Sequence, residues 1–423
     1  MIEVVGCPAS GVADLPGAQL SLLYDAALVV SSPRLLDTLD SLEPAPSAAR
    51  RAWPEPLLAG LDDLIDSFGA SGDRPVVVLA TGDPLLSGIG TTLLRRRGPE
   101  GVRVHPAVSS VALARARMGW PAETAAWVSV VGRPLGRVTA LLTPGARLVV
   151  LSSDETTPAR LASLLAERGL GAARLTVLGD LGTPSESRHD CTASEYAYAA
   201  PRLNVVAVEL PPVAAPSDGP FGGPNALLGS VSGRPDDAFH TDGQLTKAEI
   251  RAVALSRLRP APGAVLWDLG AGTGSVAVEW CLRHTSARAY AVERRADRVA
   301  LIRRNLAETG ADLRVLEADI GAALVQLVDL DRPDAIFLGA GVTEPVLDRC
   351  LAALRPGGRL VAHAVTLESE SVLVQAYRRI RADAGNVTLR RIAVESAEPL
   401  GDYLSYRPAR AVVQLAVQQD GAP

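Results

Sequence analysis

The residues of this chain best suited to chemistry lie where an apolar run breaks into glycines, Val265-Leu266-Trp267-Asp268-Leu269-Gly270-Ala271-Gly272-Thr273-Gly274-Ser275-Val276. Strand, tight turn and helix follow one another without a spacer. Glycine lets such a turn take torsions closed to other residues and approach a ligand closely. Open α/β sheets bind their cofactors at turns of this kind. The run lacks the Gly-Lys-Ser/Thr ending of a triphosphate loop, which argues against ATP or GTP.

A dinucleotide or S-adenosylmethionine remains. Asp268, at the strand end ahead of the glycines, would repel a pyrophosphate but could hold a water or the ammonium of a methionine moiety. The next strand, Arg288 to Val292, ends at Glu293, an acceptor for ribose hydroxyls that either cofactor supplies. A third, Leu313 to Ala318, ends at Asp319, an acceptor for an adenine amino group. Three acid-terminated strands at βαβ spacing favour S-adenosylmethionine. Thr246, Thr273 and Gly339 complete the expected cofactor set in this half.

The elements that must hold these residues read clearly. A helix is expected over Thr246–Leu258, capped by Thr246, and another over Arg295–Thr309. Strands are expected at Asp334–Leu338 and Arg359–Ala364, the latter after the turn Pro356-Gly357-Gly358. Thr388–Glu395 and Ala409–Val417 read as a closing antiparallel pair, which makes a seven-stranded methyltransferase sheet. The first half opens on a strand, Ile2–Gly6. Apolar runs follow at 27–30, 76–80, 128–131, 148–151 and 205–210, an α/β pattern with antiparallel parts. Residues 211–236, rich in Pro, Gly and Ser, read as a linker between domains at 1–210 and 237–423.

Composition sets the outer bounds. A length of 423 residues exceeds one ordinary core, so two or more domains are expected. A formal net charge of -5 gives no support for a nucleic-acid partner. Cys7, Cys191, Cys281 and Cys350 are scattered without metal-ligand or disulfide spacing, so no metal is expected. No 18-residue apolar span appears, so no membrane partner is expected, and a reducing cytoplasm fits. Lys247 is the one lysine among 42 basic residues: either a compact ammonium is wanted there, or it is a chance survivor of a coding bias toward arginine.

In the first half, Leu79-Ala80-Thr81-Gly82-Asp83-Pro84-Leu85 follows a strand and leaves a carboxylate at its end. Gly88-Ile89-Gly90 comes next. Then Pro106-Ala107-Val108-Ser109-Ser110 enters a helix that either serine can cap. On residue types alone these are turns and caps. Together with Val4-Val5-Gly6, Gly119-Trp120-Pro121 and Arg202–Val206 they resemble the C5-methylating module of the fused precorrin-6Y C5,15-methyltransferases (decarboxylating) of cobalamin biosynthesis. The second half resembles that family's C15-methylating, decarboxylating module through Asp242–Arg251, Trp267–Val276, Ala291–Arg294, Pro356–Leu360 and Val365–Glu368.

The resemblance implies an N-terminal two-lobed tetrapyrrole-methyltransferase fold followed by a Rossmann-like S-adenosylmethionine-dependent domain. It implies a homo-oligomer acting on a reduced, cobalt-free tetrapyrrole. Two methyl groups would be added, at C5 and C15, and the C12 acetate would lose carbon dioxide, giving precorrin-8. It carries cofactor contacts onto Gly6, Pro8, Gly82, Asp83, Gly88, Ile89, Ser109 and Ser110. Lys247, Arg251 and Arg133 are the expected cations for the macrocycle's carboxylates, and His240 an expected proton carrier. His105 and His363 read as structural. One departure stands out: Ala9 occupies a position of the Gly6-Cys7-Pro8-Ala9-Ser10-Gly11 loop where the family has glycine, a strained choice if φ there is positive. Gly339-Ala340-Gly341-Val342 is the second. The competing expectation is a methyltransferase on RNA or another small metabolite, its first half an inactive oligomerisation or delivery module.

Overall fold

The first strand, β1 (Ile2–Cys7), is buried at every position, as an apolar run inside a parallel sheet must be. It belongs to a computed structural model that describes residues 1–69, 74–211, 231–284, 286–383 and 386–419. The chain divides into two compact units. One holds the described residues up to 211 apart from 136–143, and the other holds 136–143 with the described residues from 231 onward. Most of the expected linker, 212–230, lies outside the described residues.

The first unit contains two five-stranded sheets. One joins β1 to β2 (Leu28–Ser31), β3 (Ala49–Ala52), β4 (Val76–Thr81) and β5 (Val102–His105) in the order β3-β2-β4-β1-β5, all parallel. The other joins β6 (Ala126–Ser129), β7 (Arg147–Leu151), β8 (Arg174–Gly179), β9 (Ser187–Thr192) and β10 (Asn204–Glu209) in the order β6-β7-β10-β8-β9. Only β6 and β7 run parallel there. Each sheet has its own apolar core, so the unit is two-lobed. The edge strands β3 and β9 were not visible as apolar runs because they are Ala-Arg-Arg-Ala and Ser-Arg-His-Asp-Cys-Thr.

The second unit is built on one seven-stranded sheet. Its strands are β11 (Val265–Leu269), β12 (Arg288–Glu293), β13 (Arg314–Glu317), β14 (Ala335–Leu338), β15 (Arg359–Ala364), β16 (Asn386–Ile392) and β19 (Val412–Gln418). The order is β13-β12-β11-β14-β15-β19-β16, with β19 antiparallel to both neighbours. The chain runs outward from β11 to β13, then returns to lay β14 on the other flank of β11. That reversal opens a crevice between the loops after β11 and β14, where ligands of such sheets bind. Apolar cores cover both faces of the sheet, with Trp267 in one and Trp280 in the other, both 0% exposed.

Two features depart from the expected outline. A hairpin, β17 (Glu395–Leu400) with β18 (Tyr403–Pro408), stands apart from the large sheet, and all its strand residues are exposed. Residues 136–143 cluster with the second unit, where Thr139 Oγ1 donates to Thr309 O at 3.2 Å. A Cβ on Gly310 would stand 2.0 Å from Arg137 N, so that approach requires glycine.

Cys7, Cys281 and Cys350 are buried and Cys191 half-buried. Burial pushes the Cys7 thiol up to about 11 and those of Cys281 and Cys350 up to about 12. Among the described residues no helix is long and apolar enough to cross a membrane.

Candidate functional site

In the second unit the glycine loop is held from three sides. Gly270 and Ala271 donate to Val292 O at 3.0 and 2.9 Å, which ties the loop to the end of β12. Gly270, Gly272 and Gly274 all have positive φ, at 72°, 58° and 75°. A Cβ on Gly270 would meet Ala340 at 3.0 Å, so the loops after β11 and β14 touch at the crevice. Gly339 N–H donates to Leu269 O at 3.0 Å and closes the same contact. Gly272 faces open space, its nearest neighbour the Gln244 carbonyl at 3.7 Å from a notional Cβ. Gly274 ends the turn and caps the helix Ser275–Arg283.

Three acids end the strands on this side of the sheet. Asp268 is 1% exposed. Its Oδ2 accepts from Ala277 N–H at 3.0 Å, while its Oδ1 is buried without a partner. Burial, reinforced by the charge of Glu293 and opposed by the Ala277 bond, raises its pKa to about 7. Glu293 is 5% exposed and accepts from Gly272 N–H at 2.9 Å and Arg295 N–H at 3.0 Å, leaving lone pairs for hydroxyl donors. Asp319 is exposed beyond β13 and caps the helix Ile320–Val328 through Ala322 N–H at 3.0 Å. The hydroxyl of Thr273 is also buried without a partner.

Orphaned carboxylate and hydroxyl oxygens beside a bare glycine backbone fit an amino-acid ammonium and a ribose. They do not fit a pyrophosphate, which would meet two carboxylates and no cation. S-Adenosylmethionine carries both groups, so the donor set suits it.

The segment ahead of the loop is where sequence reasoning needs correcting. The helix runs Ala248–Leu258 with Lys247 at its N-cap, and Thr246 does not cap it. The Thr246 carbonyl instead accepts from Arg251 Nη1. Arg251 was expected to meet a substrate carboxylate. It is 0% exposed: its Nε donates to Glu279 Oε1 at 2.6 Å, its Nη2 to Arg234 O, and its guanidinium lies over the Phe239 ring at 4.8 Å. With every face of the guanidinium taken by protein, Arg251 is a buried fastener of this segment.

Lys247 is exposed, and its Nζ pairs with Asp236 Oδ2 at 3.2 Å. His240 is half-buried, its Nε2 on Glu308 Oε1 and its backbone N–H on Asn305 Oδ1 at 2.8 Å. Asn305 also donates to Thr273 O at 2.9 Å and so links His240 to the glycine loop. His363 is buried, on Gln414 Nε2 at 2.9 Å, and burial lowers its pKa to about 4.

Asn305 and Arg298 were missed from the sequence. Arg298 holds Asp242 Oδ2 and Gln244 Oε1, both at 2.9 Å, and so fixes the residues that overhang Gly272. Both lie in the helix Ala296–Thr309, where polar residues read as solvent-facing.

In the first unit, one crossing brings the sequence-predicted residues together. A Cβ on Gly6 would stand 2.6 Å from Gly82 O and 2.7 Å from Ala107 N, so the ends of β1, β4 and β5 converge where only glycine fits. Gly82, with φ 65°, donates to Cys7 O at 2.7 Å. Asp83 Oδ1 accepts from Leu85 N–H at 2.8 Å. Ser109 caps the helix Ser110–Met118 through Ala112 N–H at 3.1 Å, and Ser110 is its first residue. Gly88 packs on Pro84 O, 2.6 Å from a notional Cβ, ahead of Ile89 at the start of the helix Ile89–Arg97.

Pro8 begins the β1 loop, its carbonyl accepting from Gly11 N–H at 3.1 Å. The positive φ of that loop, 118°, falls on Gly11, and Ala9 is not among the residues with positive φ. The feared strain at Ala9 is therefore absent. Its carbonyl instead accepts from Arg34 Nη1 at 2.8 Å, while Arg34 Nη2 reaches Thr81 Oγ1 at 3.0 Å. Arg133 is exposed in the turn after β6, its backbone N–H on Val130 O at 3.1 Å, with no substrate-facing contact defined.

Sequence models of two families match the chain: the tetrapyrrole (corrin/porphyrin) methylases over residues 1–197 and the precorrin methyltransferase domain over residues 237–419. The chain is similar to the precorrin-6Y C(5,15)-methyltransferase (decarboxylating) of Mycobacterium tuberculosis, 40% identical over 422 residues, 99% of each chain. It is 38% identical to the protein of that name from a Sinorhizobium species, over 98% of this chain and 95% of that one. A probable cobalt-precorrin-6B C(15)-methyltransferase (decarboxylating) of Pyrobaculum calidifontis matches over 158 residues at 39% identity, 36% of this chain and 80% of that one.

Proposed function

The chain belongs to the fused precorrin-6Y C5,15-methyltransferases (decarboxylating), and from that membership we propose that it methylates precorrin-6Y (precorrin-6B) at C5 and C15 and decarboxylates the C12 acetate, giving precorrin-8. The observation that carries the reading is likeness over 99% of the chain, which gives both halves the same employment as in the relative. The RNA alternative leaves the first unit unused and finds no support in a net charge of -5.

S-Adenosylmethionine supplies an electrophilic methyl group. In the second unit, ionised Asp268 takes its ammonium directly or through a water, Glu293 its ribose hydroxyls, and Asp319 its adenine amino group. In the first unit, the crossing of Gly6, Gly82 and Ser109, with Pro8, Asp83, Gly88, Ile89 and Ser110 around it, forms the second cofactor cradle. The chain's main contribution is alignment of acceptor carbon and methyl group. Enamine-like carbons of the reduced macrocycle are the nucleophiles, so no protein nucleophile is needed. The conjugated ring takes up the electron pair released as carbon dioxide leaves. Lys247 is the proposed cation for a peripheral carboxylate, exchanging its exposed pair with Asp236 for the substrate. His240 is the proposed proton carrier, and Arg133 a cation of the first unit.

The reading includes a cytoplasmic protein that binds neither nucleic acid nor membrane and that self-associates. Support for self-association comes from the hairpin β17–β18. Leu400, Tyr403, Leu404 and Tyr406 are 65–80% exposed on it, and an isolated two-stranded hairpin is marginal in water. A second copy of the chain is the proposed cover. Sedimentation of wild type against Leu404→Glu/Tyr406→Glu tests this: the variant sediments as a monomer, and an unchanged profile rejects the hairpin.

Product mass tests the reaction. The full chain with precorrin substrate and S-adenosylmethionine should yield a product with two methyl groups gained and one carbon dioxide lost. A product with methyl groups but no loss of carbon dioxide would remove the decarboxylation from the proposal.

A further inference from the structure

The second unit has an open cleft of about 380 Å³ at the end of its sheet where the parallel strands begin, away from the glycine loop at their other end. That volume lies within the usual range of small-ligand sites, about 300–1,000 Å³. Arg259, Arg355, Arg359, Asp334, Trp280 and the Pro356-Gly357-Gly358 turn line it. We propose that this cleft is an accessory binding site for a small phosphate-bearing anion, gripped between the guanidiniums of Arg259 and Arg359.

The charges around the cleft do not balance. Arg355 Nη1 bonds both oxygens of Asp334, at 3.0 and 3.1 Å. Asp334 Oδ2 also accepts from Val265 N–H at 2.8 Å. The one carboxylate on the cleft is therefore already committed to Arg355 and to the start of β11. Among the described residues neither Arg259 nor Arg359 has a carboxylate partner. Burial, and then the charge of Arg259, lower the pKa of Arg359, so the two cations feel each other. Like charges held together on a partly enclosed wall cost free energy until an anion sits between them.

The backbone at Arg259 points the same way. It follows the helix Ala248–Leu258 in a left-handed conformation, φ 53° and ψ 71°. Glycine is the usual residue at such a helix end, because a side chain there crowds the following carbonyl. The carbonyls at the end of that helix attract a cation, which accounts for the sign of Arg259. They do not account for Arg359, which sits on β15. Two arginines lining one cleft match a phosphoryl group, whose oxygens can accept from two guanidiniums at once.

The site is independent of the proposed reaction, and its test needs no precorrin. Full-length protein saturated with S-adenosylhomocysteine, which fills the cofactor sites, is titrated calorimetrically at fixed ionic strength. The probes are pyrophosphate and glycerol 3-phosphate, with sodium chloride as control. Binding of at least one phosphate probe, weakened tenfold or more in Arg259→Gln/Arg359→Gln with S-adenosylhomocysteine affinity unchanged, supports the site. The preferred probe then tells a free from an esterified phosphate. No heat from either probe, or equal affinity in the double variant, overturns it. Melting in phosphate-free buffer gives a second readout: relief of repulsion should leave the double variant melting no lower than the native chain. A lower melting temperature assigns the arginines to the fold and overturns the proposal.

Discussion

Gly272 donates its backbone N–H to Oε2 of Glu293 at 2.9 Å, so the carboxylate offered to a ribose also fixes the glycine loop that receives it. Glu293→Ala should therefore weaken S-adenosylmethionine binding twice over, by loss of an acceptor and by release of the loop. The expected loss is about 1–3 kcal/mol of binding free energy. Calorimetry on the full chain measures it, and an unchanged dissociation constant for the second-unit site removes Glu293 from the cofactor set.

Arg251 and Lys247 lie four residues apart and should fail in opposite ways. Arg251→Met leaves the buried Glu279 carboxylate with the backbone N–H groups of Gly233 and Arg234 but without the Arg251 cation, and loss of one partner of a buried pair costs about 3–5 kcal/mol. Urea unfolding should register that loss. Lys247→Met breaks only an exposed pair, worth up to about 1 kcal/mol. Its stability should hold while kcat/KM falls about tenfold or more. Lys247→Arg should recover part of the activity. Equal activity for all three residues at position 247 would leave Lys247 an ordinary surface cation.

Two buried groups give the second unit opposing responses to pH. Asp268 titrates near 3.8 when unfolded and at about 7 when folded. The folded chain keeps a proton the unfolded chain has lost, so this contribution to stability is complete below pH 3.8 and lost as pH rises through 7. His363 moves from 6.5 down to about 4. Its contribution is present above pH 6.5 and lost as pH falls toward 4. Between those limits the slopes oppose. Asp268→Asn should make the melting temperature climb more steeply with pH, and His363→Gln should make it fall. Because an ammonium needs the ionised carboxylate, S-adenosylhomocysteine should bind the second unit about tenfold or more tightly at pH 7.5 than at pH 5.5. Asp268→Asn should abolish that dependence.

Gly6 and Ala9 invert the naive ranking of their loop. Gly6→Ala places a Cβ 2.6 Å from a backbone oxygen that cannot retreat without moving Gly82, and should cost about 1–3 kcal/mol or more. Ala9→Gly relieves no strain and loosens the unfolded chain, so it should be neutral or slightly destabilising. A stability gain for Ala9→Gly in thermal melts would contradict the backbone described above.

The second unit was legible because its inner strands β11, β12, β14 and β15 are largely buried and its turns carry glycine, so pattern and punctuation agree there. Asp268, Glu293 and Asp319 could be found as acids at strand ends. Arg251 could not be understood the same way. Its partner Glu279 lies on another helix, and a buried guanidinium looks identical in sequence to a free one. Thr246 misled for a local reason: the N-cap position falls one residue later, on Lys247, and the chain turns helical at Ala248. The hairpin of β17 and β18 falls almost wholly between the strands expected at Thr388–Glu395 and Ala409–Val417, a stretch that Pro399 and the charges of Glu398 and Arg407 leave without an apolar pattern. Strain at Ala9 was a possibility raised by the family's glycine there, whereas only torsions show that Gly11 carries the positive φ of the loop.

A sulfonium methyl donor will alkylate any soft nucleophile that reaches it, including the enzyme's own. Cys7 ends β1 beside the proposed first-unit cradle, one residue from Gly6, and it is the thiol most at risk. Burial shuts it away at 0% exposure and holds its pKa at about 11. At neutral pH about one such thiol in ten thousand is ionised. Burial thus keeps Cys7 from competing with the substrate as a methyl acceptor at the proposed cradle, through the same packing that seats β1 between β4 and β5.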